Sequence, residues 1–258
     1  MKLYLKYFLM SLKSQMQYKV SLCLATAGQF LVSFSVFFGI WFMFSRFRSV
    51  EGFTLPQVLL CYAVVLMAFS IAEWLGRGLI AVPRMLGNGE FDRMLVRPRH
   101  EIYLVICAQT DFTRLGMLLQ AVLMFCYAIP QSGVLWTWDK ILTLFLMITC
   151  GSVVFMCLWL FYACISFFTV EGLEFMNILT YGGRDHGRYP FSIYGKGVLS
   201  FLTFVIPLAL FQYYPLLYLL DKSDNVLYML TPVLSLLFCI PSYAFWRFGL
   251  RRYKSTGS

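Results

Sequence analysis

Hydrophobic and charged positions are segregated along this chain rather than interleaved. Residues 20–45, 52–72, 115–138, 141–170, 197–220 and 225–246 form six stretches without a single Asp, Glu, Lys or Arg. A helix of about 20 apolar residues crosses a hydrocarbon core about 30 Å thick, and each stretch reaches that length. A charge buried in such a span would cost several kcal/mol. The pattern predicts an all-α integral membrane protein with six transmembrane helices, forming one transmembrane domain over residues 1–258.

The pieces between the spans predict shorter elements. Residues 1–19 are too interrupted to span. At 100° per residue, Lys2, Lys6 and Lys13 fall within about 40° of one another and Gln17 joins them, while Leu3, Leu5, Phe8, Leu9, Leu12 and Met16 fill much of the remaining circumference. This predicts a helix lying in the interface, lysines toward anionic headgroups. It acts either as a simple anchor or as an elbow bracing a cytoplasmic partner.

Between spans two and three, Gly87-Asn88-Gly89 is a turn signal. Glu90-Phe91-Asp92-Arg93-Met94-Leu95-Val96-Arg97-Pro98 follows. As a helix it places Phe91, Met94 and Leu95 within roughly a 100° arc, with Glu90, Asp92, Arg93 and Arg97 on the other side. Pro98 stops it. Two readings stand equally open: a helix that docks into a groove on another protein, or a solvated helix lying on the membrane. Between spans four and five, Glu171 and Glu174 share a helical face, and Gly182, Gly183 and Gly187 predict a flexible cytoplasmic turn. Pro207, Tyr214 and Pro215 predict that the fifth span is broken or re-entrant, as is tolerated where other helices shield the freed backbone.

Charge then sets an orientation. The chain carries a net charge of +9 with 13% charged residues. That excess follows the span ends, so it reads as membrane topology and not as nucleic-acid binding. Lys2, Lys6, Lys13, Lys19, Arg77, Arg84, Arg93, Arg97, Arg99, Arg114, Arg184, Arg188, Lys196, Arg247, Arg251, Arg252 and Lys254 fall on one side, and only Arg46, Arg48, Lys140 and Lys222 on the other. The positive-inside rule places both termini in the cytoplasm. Trp41, Trp136 and Trp138 fall near outer boundaries and Trp74 and Trp246 near inner ones, while Trp159 sits mid-span. Ala25-Thr26-Ala27 has the small-x-small look of a cleavage site, but the uncharged run continues through Met43, so the first span is expected to be retained.

Candidate chemistry is sparse. None of the eight cysteines forms a CxxC pair, and no second pair completes a zinc set with His100. Cys150, Cys157 and Cys164 recur every seven residues, which predicts one closely packed face of the fourth span. His100 and His186 read as solvated, and Glu73 with Arg77 as a helix-end ion pair. There is no G-x-S-x-G and no H-E-x-x-H, which argues against a membrane-embedded enzyme. The spans hold no ionisable group near the midplane, which argues against an ion-coupled secondary transporter or channel. Gln29, Gln120 and Thr149 are the main polar groups within them and suit helix packing.

With these residues in place, a family resemblance emerges. Residues 89–98 resemble the G-E-[LF]-D-x-x-L-x-R-P-like cytoplasmic motif of bacterial ABC-2 type transporter permeases. Arg188-Tyr189-Pro190, Ile193-Tyr194, Ile206-Pro207-Leu208-Ala209 and Tyr214-Pro215 are similar to that family's pattern before and within its fifth span. The Gly-rich, charged stretch 182–187 is a departure from it. The resemblance implies a six-span permease subunit of an ATP-binding-cassette exporter in the bacterial cytoplasmic membrane. Residues 1–19 would be the elbow helix and Glu90, Phe91, Asp92, Arg93, Met94, Leu95, Arg97 and Pro98 the coupling helix on an ABC ATPase subunit. ATP and Mg would be bound by that partner and no cofactor by this chain, in keeping with the missing G-x-x-x-x-G-K-[ST] loop. A second permease chain, identical or homologous, would complete the path. Uncharged spans rich in Phe, Tyr and Met suit an apolar or amphipathic cargo, with export the expected direction.

Overall fold

The computed structural model describes residues 2–47, 49–169 and 174–254. The side chain of Lys2, and Arg48 and Glu171 entirely, lie outside the described residues. Helix dominates throughout, and the described residues hold no β-strand beyond an isolated bridge between Val50 and Phe53. The chain runs α1 Lys2–Met16, α2 Lys19–Arg46, α3 Leu55–Ile80, then the short α4 Val82–Gly87, α5 Glu90–Leu95 and α6 Glu101–Ala108. It continues with α7 Leu115–Gln131, α8 Trp138–Ile165, the short α9 Phe175–Leu179 and α10 Tyr181–His186, α11 Lys196–Phe204 and α12 Leu208–Leu219. The last rod joins a 3-10 turn, α13 Thr231–Ser235, and α14 Cys239–Arg252. Five of these rods are long and apolar enough to cross a membrane, and the α11–α12 pair makes six if counted as one bent span.

The core follows from α3, which is apolar on every side and therefore buried on every side. Nearly all its residues from Val58 to Ala72 are inaccessible to solvent. α7 packs on one side of it and α8 on the other. Phe69 of α3 meets Phe155 at 5.1 Å, Trp159 at 5.5 Å and Tyr181 at 5.5 Å between ring centroids. This explains the mid-span Trp159: it is a core residue, not an interfacial one. α2 is largely exposed, and Phe34, Phe37, Phe38 and Phe42 form a continuous aromatic ladder along it, running from half-buried Phe34 and Phe37 to exposed Phe38 and Phe42.

Several expected boundaries shift. The third span ends at Gln131 and not at residue 138, because residues 133–137 are not helical. The second span starts three residues later than its uncharged run and continues eight residues past it, to Ile80. Pro56 sits in the first turn, where its missing N–H costs nothing. The extension takes Glu73 and Arg77 inside a continuous helix. Trp246 is wholly buried within the protein.

Close backbone approach decides where glycine stands. A Cβ on Gly78 would lie 1.8 Å from the carbonyl oxygen of Val105, so α6 rests directly on α3 there. Main chain cannot swing aside as a flexible side chain can. Gly78→Ala is therefore expected to destabilise the protein by about 2 kcal/mol, at the middle of the overpacking range. Denaturation of detergent-solubilised protein measures this, and an unchanged midpoint would show that α6 does not sit against α3. The cysteine stripe of α8 likewise faces α14: Cys157 Sγ lies 3.4 Å from Cys239 Sγ, and Cys164 Sγ lies 2.9 Å from the Phe245 carbonyl.

Candidate functional site

Charged groups gather at the two ends of the bundle. At one end the α2–α3 turn meets the start of α8 and the end of α12. Lys140 pairs with Asp221 at 2.7 Å, Tyr218 donates to Asp139, and Lys222 donates to the Gly52 carbonyl while its ammonium lies 3.9 Å from the centre of the Phe53 ring. These segments carry the few cations that charge counting sets apart from the rest. The opposite end is built from α1, α4–α6 and the last turns of α14.

At that second end, α5 is shorter than its sequence pattern and stops at Leu95. It opens on Gly89, whose φ of 68° only glycine adopts without strain. Phe91 is fully buried, 5.4 Å from the Phe167 ring, 5.5 Å from Tyr253 and 6.1 Å from Trp246. Asp92 accepts a hydrogen bond from the Tyr253 hydroxyl at 3.0 Å. Burial and the Asp92 carboxylate push the Tyr253 hydroxyl up to about 12, so it stays a donor at neutral pH. Phe91, expected on a surface, is thus the peg that fixes α5 to α8 and α14. Met94 is half-buried. Glu90, Arg93, Leu95, Val96, Arg97 and Pro98 remain exposed, and Val96 is 83% exposed.

α1 lies against the same end. Phe8 packs on Phe112 at 5.0 Å and on Trp74 at 6.0 Å, and Tyr7 accepts a hydrogen bond from Arg97 at 2.7 Å. Gln15 donates to the Thr110 carbonyl at 2.7 Å and accepts from the Phe112 amide at 3.2 Å. Lys6 and Lys13 are exposed, as are Leu5, Leu9 and Met16. This leaves α1 with one cationic edge, one apolar edge and one face held by the protein.

Just inside this end lies a polar hub that sequence reasoning reduced to a helix-end pair. Glu73 is wholly buried. Its Oε1 accepts from Arg77 at 3.1 Å and from the Tyr181 hydroxyl at 3.0 Å, and its Oε2 pairs with Arg114 at 3.2 Å. Arg114 also reaches Asp111 at 3.1 Å and Gln29 at 3.1 Å. Burial opposes ionisation of Asp111, but hydrogen bonds from Thr113 and the Arg114 guanidinium outweigh it and hold the carboxyl below its ordinary range. Two carboxylates thus balance two guanidiniums, and one neutral network joins α2, α3, the turn before α7, and α10. Gln29, expected to serve packing alone, is a member. The i,i+4 spacing of Glu73 and Arg77 was the one legible signal, since Asp111, Arg114 and Tyr181 arrive from distant parts of the chain.

Residues 174–195 do not form a free turn. Gly187 packs on Val65, and Gln212 of α12 donates to the carbonyls of Tyr189 at 3.1 Å and Gly187 at 3.3 Å. The segment therefore runs alongside α3 within the bundle. The fifth span is broken as Pro207 implies: α11 and α12 meet at 113°. At 1.5 Å per residue they are about 14 Å and 18 Å long, so neither crosses the core alone. Tyr214 lies 3.3 Å from Thr203 across the bend, and Pro215 sits inside α12. The elbow shelters an apolar cavity of about 420 Å³ bordered by Phe161, Phe204, Leu210, Leu237 and Pro241. Among the described residues no group of His, Cys, Asp and Glu is arranged to hold a metal ion.

The described residues thus form a multi-pass helical bundle with short helices at one end, a buried ionic hub and a broken fifth span. The family comparison agrees: residues 30–257 match the model of the ABC-2 family transporter proteins, and the chain belongs to that family. No curated protein and no solved structure matches it. Family membership makes it a membrane permease component of an ABC transporter, associated with ABC ATPase subunits.

Proposed function

We propose that this chain is the permease half of an ABC exporter of the bacterial cytoplasmic membrane, with both termini cytoplasmic. ATP and Mg are bound by a separate ATPase, and two permease chains, identical or homologous, line the path for an apolar or amphipathic cargo. The observation that carries this reading is the construction of α5. One side of this six-residue helix is pegged into an aromatic cage, while Arg93, Leu95 and Val96 stand free. A helix fixed on one face and bare on the other transmits a push instead of swivelling under it.

The push has somewhere to go. α5 adjoins α6, α6 rests on α3 at Gly78, and α3 carries Glu73, which holds the starts of α7 and α10. A rigid displacement of α4–α6 by a closing ATPase therefore reaches α3, α7 and the segment beside α12 through packed groups. Cores repack between discrete arrangements and do not deform continuously, so such a shift favours alternation between two access states. α1, with Lys6 and Lys13 toward headgroups and Tyr7 on Arg97, serves as the elbow that steadies this assembly.

The triple change Arg93→Glu, Leu95→Ser, Val96→Ser is expected to abolish co-purification of the ATPase while leaving membrane insertion and thermal stability unchanged. All three side chains are exposed, so folding does not depend on them. Undiminished co-purification would refute the docking role of α5.

A further inference from the structure

One cluster is left over by the coupling scheme: Arg184, Asp185 and Arg188, in and just after α10. Arg184 and Asp185 fall in the stretch that departs from the family pattern, and Arg188 opens the segment that follows it. Its depth is fixed by α3, whose Leu55 lies at one end of the bundle. Arg184 sits over the Phe69 ring at 4.9 Å, and Gly187, between the two acidic–basic partners, packs on Val65. Val65 and Phe69 are ten and fourteen residues along a helix of 26. That is about 15–21 Å from its start, so the cluster lies beside the long central helix and not beyond its end.

The three side chains are not sealed in. Arg184 is 22% exposed, Arg188 29% and Asp185 39%. Charges cannot face lipid tails without a cost of several kcal/mol each, so the exposed side faces water or a polar partner. Their charge is also unbalanced. Both guanidiniums converge on the same oxygen of Asp185, at 2.8 Å each. Two guanidiniums offer ten N–H donors, and one carboxylate cannot use them. Arg188 Nε is buried with no hydrogen-bond partner. Beside the cluster, on the other face of α10, Gly183 and His186 border an apolar cavity of about 150 Å³ with Phe191, Phe201 and Ile206. A charged recess and an apolar one thus flank a single short helix.

We propose that Arg184 and Arg188 form a recognition site for the anionic head, phosphate or carboxylate, of an amphipathic cargo whose apolar chain enters the neighbouring cavity. This rests on the permease reading and narrows it to anionic amphiphiles. Asp185 is the internal stand-in: it holds the guanidiniums poised, and the arriving anion takes over their free donors in the bidentate geometry that arginine favours.

The test uses the full chain in phosphatidylcholine nanodiscs with a diazirine-bearing dodecyl phosphate, the labelled peptides being read by mass spectrometry. Labelling is expected within residues 174–206 and is expected to be competed by unlabelled dodecyl phosphate. Arg184→Gln with Arg188→Gln is expected to weaken labelling about tenfold or more, the loss of one or more charge-assisted bonds. Arg184→Lys with Arg188→Lys keeps the charge and retains most labelling, and Asp185→Asn strengthens it. Equal labelling by the Gln pair, equal labelling by a dodecyl glucoside probe, or competition by inorganic phosphate as effective as that by dodecyl phosphate overturns the proposal. ATPase co-purification in the same variants separates the outcomes. Lost or unspecific labelling with association intact sinks the anion site alone, whereas absent association sinks the permease assignment itself.

Discussion

Glu73→Ala is expected to cost the protein about 3–5 kcal/mol, the range for removing one member of a buried ion-pair network. The side chain is wholly buried and holds Arg77, Arg114 and Tyr181. Its loss leaves two guanidiniums sharing Asp111, which lies 3.7 Å from Arg77 and is only partly buried. The Tyr181 hydroxyl loses its acceptor, so α10 loses its hydrogen bond to α3 and keeps only the packing on Phe69 and Val65. Glu73→Gln keeps the shape and can still accept from Tyr181, so it is expected to be milder. Thermal denaturation in detergent reads the stability, and protease protection of residues 174–195 reads the release of α10. A Glu73→Ala protein as stable as the parent would show that the hub is not formed.

Phe91→Ala is expected to cost about 3–5 kcal/mol as well, for a different reason. A fully buried phenylalanine truncated to alanine loses its transfer free energy and leaves a cavity among Phe167, Trp246 and Tyr253. Leu95→Ala, one helical turn on, removes a side chain that is 40% exposed and is expected to change stability by less than about 0.5 kcal/mol. The contrast separates the two faces of α5. Phe91 acts by anchoring, so its loss weakens ATPase association indirectly and together with stability, while the exposed face acts on association alone. Equal and small stability changes for both residues would place Phe91 on the surface and undo the peg.

Much of this was legible along the chain, for identifiable reasons. Spans are legible because lipid excludes charge, which leaves uncharged runs whose length can be counted. The fifth-span break was legible because Pro207 removes a backbone donor whatever surrounds it. The cysteine stripe of α8 was legible because a seven-residue period stays on one helical face. The last position of a helix was less so. Residues 132–137 are as uncharged as the span before them, yet they are not helical, and α3 runs on past its uncharged run because Glu73 finds its counter-ions across the bundle.

Sequence by itself determined that this is an all-helical membrane protein, because solvent preference and local geometry act on each residue without reference to distant ones, and its likeness to the ABC-2 permeases rested on the motif at residues 89–98. Only the tertiary structure decided which face of α5 is bare, that Trp159 and Trp246 are core residues, and that Arg184, Asp185 and Arg188 stand in and just after a helix packed against α3 instead of in a free turn. Those outcomes depend on partners far away in the chain, 161 positions for Tyr253 and Asp92 and 115 for Phe69 and Arg184. Periodicity can place a side chain on a face, but what that face meets is set by how the helices pack.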